Sequence, residues 1–260
     1  MSGRVRIETD GPLGWIIFDH PERRNAISAE MWREIPRAAA VLDADLAVRV
    51  VIMRGAGDVA FVSGADISEF EASRSGAAAA EYDANNARAF QALLNVSKPL
   101  LAHIHGFCVG GGCALALAAD LRYAADDAVF AIPAARLGLG YSAGGLEMLV
   151  HVVGFTTAKE IFFTARRFTA AEALRMRLVN QVLPKAELDA YVRTAAEGIA
   201  TNAPLTLRSA KLILRELMKD HANRDDQAIA ASVRACYESA DYAEGVRAFL
   251  EKRRPDFKGQ

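Results

Sequence analysis

The chain has 260 residues, of which 52% are hydrophobic, and a formal net charge of −1 with an isoelectric point near 6.5. A chain of this length can bury the core of one large domain, or of one domain with an appendage. Balanced charge argues against a nucleic-acid-binding protein, which carries a basic excess. Three cysteines fit neither a disulfide framework nor a zinc spacing, and no membrane-spanning stretch or secretory signal is visible. We therefore expect a cytoplasmic protein.

Short β-like runs alternate with helical runs through the first two-thirds of the chain. Hydrophobic periodicity predicts strands at residues 15–18, 49–53, 100–104, 123–125 and 129–132. It predicts helices at residues 30–42, with Ser28 as the N-cap, at 69–94, with an interruption near 73–76, and at 112–119. The last of these has no polar side chain, so we expect it to be buried on all sides.

From residue 156 the pattern is helical almost to the end of the chain. Predicted helices occupy residues 156–165, 170–175, 185–201, 204–218 and 242–252, and a strand-like piece lies at 178–182. A helical tail so rich in apolar positions is of the kind that packs against another subunit.

The glycine-rich run from Gly106 to Gly112 follows a predicted strand and opens a predicted helix, as a phosphate-binding loop does. It lacks the Lys-Ser/Thr ending of that loop, and dinucleotide, nucleophilic-serine and metal-ligand motifs are absent from the sequence. Backbone amides at a helix start are unpaired and lie at the positive end of the helix dipole. A second turn, Ser63-Gly64-Ala65, offers another amide, and two donors converging on one oxygen form an oxyanion hole. Glycines that only allow close helix–strand packing explain these residues equally well.

The two small-residue turns and their surroundings resemble the crotonase superfamily, also called the enoyl-CoA hydratase/isomerase family. The resemblance covers nearly the whole chain, in motifs whose order and spacing are specific. These motifs are Pro21-x-x-x-Asn25-Ala26, Phe61-x-x-Gly64-Ala65-Asp66-Ile67, Lys98-Pro99, Gly106-x-x-x-Gly110-Gly111-Gly112-Cys113, Ala170-x-Glu172-Ala173, Leu178-Val179 and Phe249-x-x-Lys252-Arg253-Arg254-Pro255-x-Phe257.

The resemblance implies an α/β fold: a crotonase-type spiral of ββα turns with a helical C-terminal trimerisation region. Residues 1–200 would form the spiral core with the acyl-CoA site, and residues 201–260 the helical oligomerisation region. The expected partners are an acyl-CoA substrate and further copies of this chain, in a homotrimer or hexamer. Coenzyme A enters as part of the substrate, and we expect no separate cofactor, metal, nucleic acid or membrane.

The resemblance also implies roles for individual residues. The amides of Ala65 and Gly111 would hold the thioester oxygen and stabilise an enolate. Substrate-binding positions would be Arg24 and Ala26 near the nucleotide end, with Arg23 beside them, and Ala65, Asp66, Ile67 and Ser68 along the pantetheine arm. For the two arginines a solvated turn is the alternative.

The chain departs from the family's hydratases at two positions, where Ala114 and Ala134 replace glutamates. Water addition needs a positioned base and acid, so we do not expect efficient hydration. Tyr141 is the candidate proton donor, because relatives that decarboxylate methylmalonyl-CoA are similar in having Tyr near this position. Decarboxylation needs no general base, since loss of CO2 itself generates the enolate. Those relatives have a histidine where this chain has Asp66.

Three functions therefore stay open: a hydratase/isomerase-type enzyme with non-standard acid–base residues, an acyl-CoA decarboxylase, and a non-catalytic acyl-CoA-binding protein. Arg136 and Glu147 are further polar candidates for the site. His103 and His105 lie on one face of a predicted strand, either toward the site or as hydrogen-bonded core groups. Arg177 stands where many relatives have a glycine, which leaves the local helix end undetermined.

Overall fold

The computed structural model describes residues 3–69 and 77–260. It starts with a hairpin of β1 (Arg4–Asp10) and β2 (Leu13–Asp19), followed by α1 (Ala29–Ala44). Strands then come in pairs, and each pair is followed by a helix: β3 (Val50–Gly55), β4 (Ala60–Val62) and α2 (Ala77–Leu94); β5 (Leu100–Ile104), β6 (Phe107–Val109) and α3 (Gly111–Leu117); β7 (Leu121–Ala125), β8 (Val129–Ala131) and α4 (Ala143–Thr164). The remaining elements are β9 (Phe168–Thr169), α5 (Ala170–Arg175), β10 (Gln181–Leu183), α6 (Lys185–Ala200), α7 (Pro204–Leu217), α8 (Asp226–Tyr237) and α9 (Ala240–Leu250).

The described strands form two sheets, and the two strands of each pair belong to different sheets. One sheet has the order β1-β2-β3-β5-β7-β10 and is parallel except for the β1–β2 hairpin. The other has the order β4-β6-β8-β9 and is parallel except for the β8–β9 pair. The first strand of each pair enters one sheet and the second enters the other. Each ββα unit therefore advances both sheets by one position, which is the predicted spiral.

Side-chain alternation along the strands divides the buried residues between two cores. In β2, Ile16 and Phe18 face the core that contains α1 and α2, whereas Trp15 and Ile17 face α6. All four side chains are buried, so both faces of this sheet are covered. A strand buried on both faces has a continuous apolar run, as the parallel strands of such sheets do.

Most of the predicted strands and helices are confirmed, including Ser28 as the N-cap of α1, whose side chain accepts a hydrogen bond from the Met31 amide. The helical run labelled α4 is broken at Gly154, whose φ of 75° and ψ of 165° are not helical, so it consists of two helices. The predicted helix at 156–165 corresponds to the second of them, whereas the first, which begins at Ala143, was not predicted. Ser142 caps that helix by accepting from the Gly145 amide at 3.3 Å, a signal obscured by the glycines around it. The predicted interruption at 73–76 lies outside the described residues.

Arg177 adopts a left-handed conformation, with φ of 60°, two residues after the end of α5. This conformation favours glycine and costs other residues roughly 1–2 kcal/mol, which is a physical reason for the glycine that the family resemblance implies at this position. No helix in the described ranges is long and apolar enough to cross a membrane. The cytoplasmic location and the division of the chain at residue 200 stay predictions.

His103 and His105 face α6 rather than the cavity side of the sheet. Alternation along β5 places them on the same face as Leu101, which packs in the α6 core. His103 Nε2 lies 3.8 Å from Asp189 Oδ1 of α6, and the two imidazole centroids are 5.7 Å apart. Of the two alternatives left open by the sequence, the one in which these histidines face the site is therefore wrong, because the alternation of side chains along the strand directs them to the opposite face.

Burial holds the pKa of both imidazoles at about 4. Burial is the largest cause of both shifts. The charges of His105 and Arg54 also lower the pKa of His103, and those of Arg54 and Lys185 also lower the pKa of His105. The carboxylate of Asp189 opposes the shift at His103, and those of Asp127 and Asp58 oppose it at His105. Both histidines are thus neutral core groups at neutral pH.

We expect the free energy of unfolding to decrease as the pH falls from about 6.5 to about 4. The unfolded histidines have their ordinary pKa of 6.5, whereas the folded values are about 4. In this window the unfolded chain binds more protons, so acid favours unfolding. Urea denaturation at several pH values would show this, and the His103→Gln/His105→Gln variant should have a flatter dependence. The His151→Gln variant, changed at an exposed histidine, is the control; equal slopes in all three proteins would contradict the assignment.

Candidate active site

The Asn25 side chain fixes the turn between β2 and α1 to the β3–β4 connection. Its Nδ2 donates to the carbonyls of Ala56 at 2.9 Å and Ala60 at 2.7 Å, and its Oδ1 accepts from the His20 amide at 3.0 Å. Arg24 and Asn25 both have left-handed backbones, with φ of 52° and 56°. Asn tolerates this conformation better than most residues, and its amide satisfies three buried backbone groups here.

The Ala65 amide is turned toward the cavity by a parallel bridge to Ile27. The Ile27 amide donates to the Gly64 carbonyl at 2.8 Å, and the Ile27 carbonyl accepts from the Asp66 amide at 2.9 Å. Because both polar groups of Ile27 bind the two neighbours of Ala65, the Ala65 amide points away from Ile27. It donates to no acceptor among the described residues.

The glycine turn brings the Gly111 amide to the same place. Gly110 has a φ of 54°, and Gly111 is the first residue of α3, so its amide has no acceptor within the helix. A Cβ on Gly112 would collide with the Val62 carbonyl oxygen, which means that only glycine lets α3 lie this close to β4. A Cβ built on Gly111 would lie 3.7 Å from the Ala65 nitrogen. The two amides therefore border one small space.

This space opens into a cavity of about 590 Å³. Its walls are mostly apolar and come from Trp32, Phe90, Val109, Ile132, Leu137 and Leu139. Asp83 is the charged side chain among the described lining residues, which include no Lys, Arg or His. A cavity of this size with few polar groups is typical of a small-molecule site.

The structure brings together several residues that the sequence analysis selected. Ala65, Ile67, Gly111 and Tyr141 all line the cavity. Ala114 and Ala134 line it as well, and they are 6% and 5% exposed. The methyl groups of the two alanines therefore line the same cavity that the Ala65 and Gly111 amides border.

Tyr141 lies in the loop before α4 and is half-buried. Its ring packs edge-to-face against Phe162, with the centroids 5.1 Å apart, and against Gly145 on the first turn of α4. Arg136 and Glu147, the other polar candidates, are exposed and lie outside the described cavity lining.

Asp66 and Ser68 bind each other instead of lining the cavity. The Asp66 carboxylate accepts from the Ser68 hydroxyl at 2.6 Å and from the Ser68 amide at 3.0 Å, and Arg23 lies 3.8 Å away. Burial would raise the pKa of the Asp66 carboxyl, but these hydrogen bonds and Arg23 lower it below its usual value. Asp66 is thus an anion that holds the segment after Ala65 in place.

Arg24 and Ala26 also lie outside the cavity lining. The Arg24 guanidinium lies over the Phe107 ring at 4.9 Å, and the Arg24 carbonyl accepts from the Ser63 amide at 3.1 Å. Ala26 is buried, and its carbonyl is 3.0 Å from His20 Nδ1. Both residues belong to the turn that supports the Ala65 segment, and their contact with a nucleotide stays a prediction.

The sequence predicted cavity walls from residues 69–90 and from the loop around Tyr141, and it missed the contribution of Trp32 from α1. Trp32 Nε1 donates to the Tyr82 hydroxyl at 3.1 Å, and the Trp32 and Phe90 rings meet edge-to-face at 5.4 Å. The signal for the α2 wall was the spacing of Tyr82, Asn86 and Phe90, which places all three on one face of a helix. The described residues hold no group of three or more His, Cys, Asp or Glu side chains suited to a metal ion.

Fold and sequence agree on the class of protein. Residues 8–260 match the family model described as enoyl-CoA hydratase/isomerase, and the chain therefore belongs to this family. It is 35% identical to a crotonyl-CoA hydratase of Syntrophomonas wolfei, over 97% of each chain. It is 34% identical to a peroxisomal Delta(3,5)-Delta(2,4)-dienoyl-CoA isomerase of Arabidopsis thaliana, over 97% of this chain and 95% of that protein. A solved enoyl-CoA hydratase/isomerase family protein from Hyphomonas neptunium has a TM-score of 0.94 at 36% identity, covering 98% of each chain.

Proposed function

We propose that this protein is an enzyme that acts on an acyl-CoA thioester through an enolate held by the amides of Ala65 and Gly111. The observation that carries the proposal is a pair of amides that border one space at the edge of the cavity and donate to no acceptor among the described residues. Negative charge develops on the thioester oxygen when a bond at the adjacent carbon breaks. A single such donor is worth on the order of 10²–10³ in rate.

The acid–base groups of this enzyme are non-standard. Ala114 and Ala134 offer no proton-transferring atom, although they line the cavity. Tyr141 lines it too, and a phenol carries its proton at neutral pH. We assign to Tyr141 the delivery of that proton to the carbon of the enolate, which then regenerates the thioester carbonyl.

A hydratase/isomerase-type reaction is the first candidate, because the similar proteins named above are a hydratase and an isomerase. Decarboxylation is the second, since it needs a proton donor but no base, and the lining of Tyr141 in the cavity supports this candidate. A non-catalytic acyl-CoA-binding protein is the third, because the two amides would bind a thioester oxygen without any acid–base group. Ile67 would contact the pantetheine arm, and Arg24 and Ala26 would lie toward the nucleotide.

We further propose that the C-terminal helices bind other copies of this chain in a trimer or hexamer. A groove of about 670 Å³ lies between α7, α8 and α9, and its lining is mostly apolar. Phe249 and Leu250 at the end of α9 are 83% and 75% exposed, which is unusual for neighbouring large apolar residues. Burial against a second copy would remove this surface from water.

The Tyr141→Phe variant should lose turnover by roughly 10²–10⁴-fold while its affinity for acyl-CoA changes little. Mass spectrometry of the products from crotonyl-CoA, longer enoyl-CoAs and methylmalonyl-CoA identifies the reaction, as water gain, isomerisation or loss of CO2. Tyr191→Phe, the same change at a residue on α6 outside the cavity, is the control. Full activity of Tyr141→Phe would exclude this tyrosine as the proton donor. Thioester binding without any turnover by the wild-type protein would favour the non-catalytic alternative.

Placing glutamates at the two alanine positions should create crotonyl-CoA hydration. We expect the Ala114→Glu/Ala134→Glu variant to exceed the wild-type hydration rate by about ten-fold or more, because it gains a base and an acid beside the two amides. The Ala114→Gln/Ala134→Gln variant adds the same bulk without the proton transfer and is the matched control. Equal rates in the two variants, with crotonyl-CoA still bound, would show that these positions do not face the reacting atoms.

Light scattering on the purified protein should give a mass of three or six 28.0 kDa chains. The Phe249→Glu/Leu250→Glu variant should shift toward monomer, because a charge would be buried at the interface. Leu46→Glu alters a side chain that is 85% exposed outside this groove and should leave the mass unchanged. A monomeric wild-type protein would overturn the proposal.

A further inference from the structure

A polar cleft of about 330 Å³ lies apart from the cavity, where the C-terminal helices meet the core. Its walls come from α7, from α8 and from residues 95–97, which follow α2. No described residue lines both this cleft and the cavity. The charged side chains among its described lining residues are Arg208, Lys211, Arg215 and Glu216. Because cations outnumber carboxylates there, we call it the basic cleft.

The three cations lie on one face of α7, since their spacing of three and four residues places them about one helical turn apart. Lys211 Nζ donates to the Lys98 carbonyl at 2.9 Å and to Asp120 Oδ2 at 2.7 Å. Arg215 Nη2 donates to Asn95 Oδ1 at 2.8 Å. Asp120 therefore neutralises Lys211, whereas Arg215 is hydrogen-bonded to an uncharged amide.

Arg208 has no comparable partner. Its side chain is half-buried, and its Nε is buried without a hydrogen-bond partner. No carboxylate among the described residues forms an ion pair with it. Burial lowers the pKa of the nearby Lys98 ammonium, the charge of Arg208 lowers it further, and Asp43 opposes both effects. A guanidinium keeps its charge in proteins, so the fold holds an unpaired cation near a buried one.

The Glu216 carboxylate is engaged with other groups. It accepts from Lys219 Nζ at 2.6 Å and from the Asp225 amide at 2.9 Å, and these bonds lower its pKa. No carboxylate in the described ranges is hydrogen-bonded to Arg208 or Arg215. A concave site of a few hundred Å³ with two such guanidinium groups is suited to a small anion.

We propose that the basic cleft binds a small polyanion, a compound with two or more phosphate or carboxylate groups, through Arg208 and Arg215. The site is separate from the proposed acyl-CoA site and does not depend on it. Guanidinium groups bind phosphate and carboxylate through paired, charge-assisted hydrogen bonds. Positions 208 and 215 are about 10 Å apart along the helix axis, so two linked anionic groups suit them better than one. The bound anion would also offset the repulsion between Arg208 and Lys98.

Titration calorimetry with pyrophosphate and with citrate tests the proposal. We expect the wild-type protein to bind at least one of the two, and Arg208→Gln to bind it roughly ten-fold more weakly, because charge-assisted hydrogen bonds are lost. Arg208→Lys keeps the charge without the planar fork and should lie between them. Arg37→Gln, changed at an exposed arginine of α1 outside the basic cleft, is the matched control. Wild-type protein that binds neither probe would overturn the proposal.

Coenzyme A carries a pyrophosphate group of its own, so the two sites have to be distinguished. Arg24→Gln changes the arginine that the family resemblance places toward the nucleotide, and it should leave the affinity for pyrophosphate and citrate unchanged. Arg208→Gln should leave the affinity for coenzyme A unchanged. Wild-type affinity of Arg208→Gln for both probes, or an equal loss of its affinity for coenzyme A, would contradict a separate site.

Thermal unfolding gives a second readout. The probe that binds should raise the Tm of the wild-type protein and of Arg37→Gln by mass action, and that of Arg208→Gln much less. Without a probe, Arg208→Gln should be at least as stable as the wild type, because the repulsion on Lys98 is removed. A clearly lower Tm of this ligand-free variant would show that Arg208 has a structural role instead. Arg215→Gln tests the basic cleft independently and should also weaken binding.

Discussion

The close approach of α3 to β4 is the constraint on which the site depends. No side chain fits between Gly112 and the Val62 carbonyl, so the helix starts directly against the strand. That position sets the Gly111 amide beside the segment that follows β4, where the Ala65 amide is located. A larger residue at position 112 would separate the two amides even if the rest of the spiral were unchanged. The glycines thus serve close packing and the candidate oxyanion hole together, and the two explanations considered from the sequence are not exclusive.

The second amide depends on a different part of the chain. Asn25 ties the turn after β2 to the β3–β4 connection, and Ile27 then occupies both neighbours of Ala65 through its own amide and carbonyl. The Asp66 carboxylate accepts a hydrogen bond from the Ser68 hydroxyl, which lowers the pKa of Asp66 and holds the segment after Ala65 in place. Several residues that the family resemblance places along the substrate therefore also support the backbone. Their structural roles and their predicted binding roles lie in one continuous segment.

The sequence predicted the spiral, the two amides and the cavity-facing position of Tyr141, because these depend on local motifs with fixed spacing. It did not predict that Trp32 of α1 joins α2 in the cavity wall, since Trp32 and Tyr82 are far apart in sequence and only helix packing joins them. Short strands such as β4 and β6 escaped prediction because three residues show too little periodicity. The histidines of β5 were ambiguous for a related reason: alternation groups them on one face, but only the sheet's position between two cores shows which face that is.

The candidate oxyanion hole consists of main-chain amides, whereas the groups that would transfer protons beside it belong to side chains. Substitution at residue 65 keeps a backbone N–H whatever the new residue is, proline excepted, so point mutation rarely removes this donor. Codon changes at positions 114, 134 and 141 can alter proton transfer without touching the Ala65 and Gly111 amides. On the proposed function, a lineage of such proteins could lose or exchange its reaction and keep the two backbone amides that would bind a thioester oxygen.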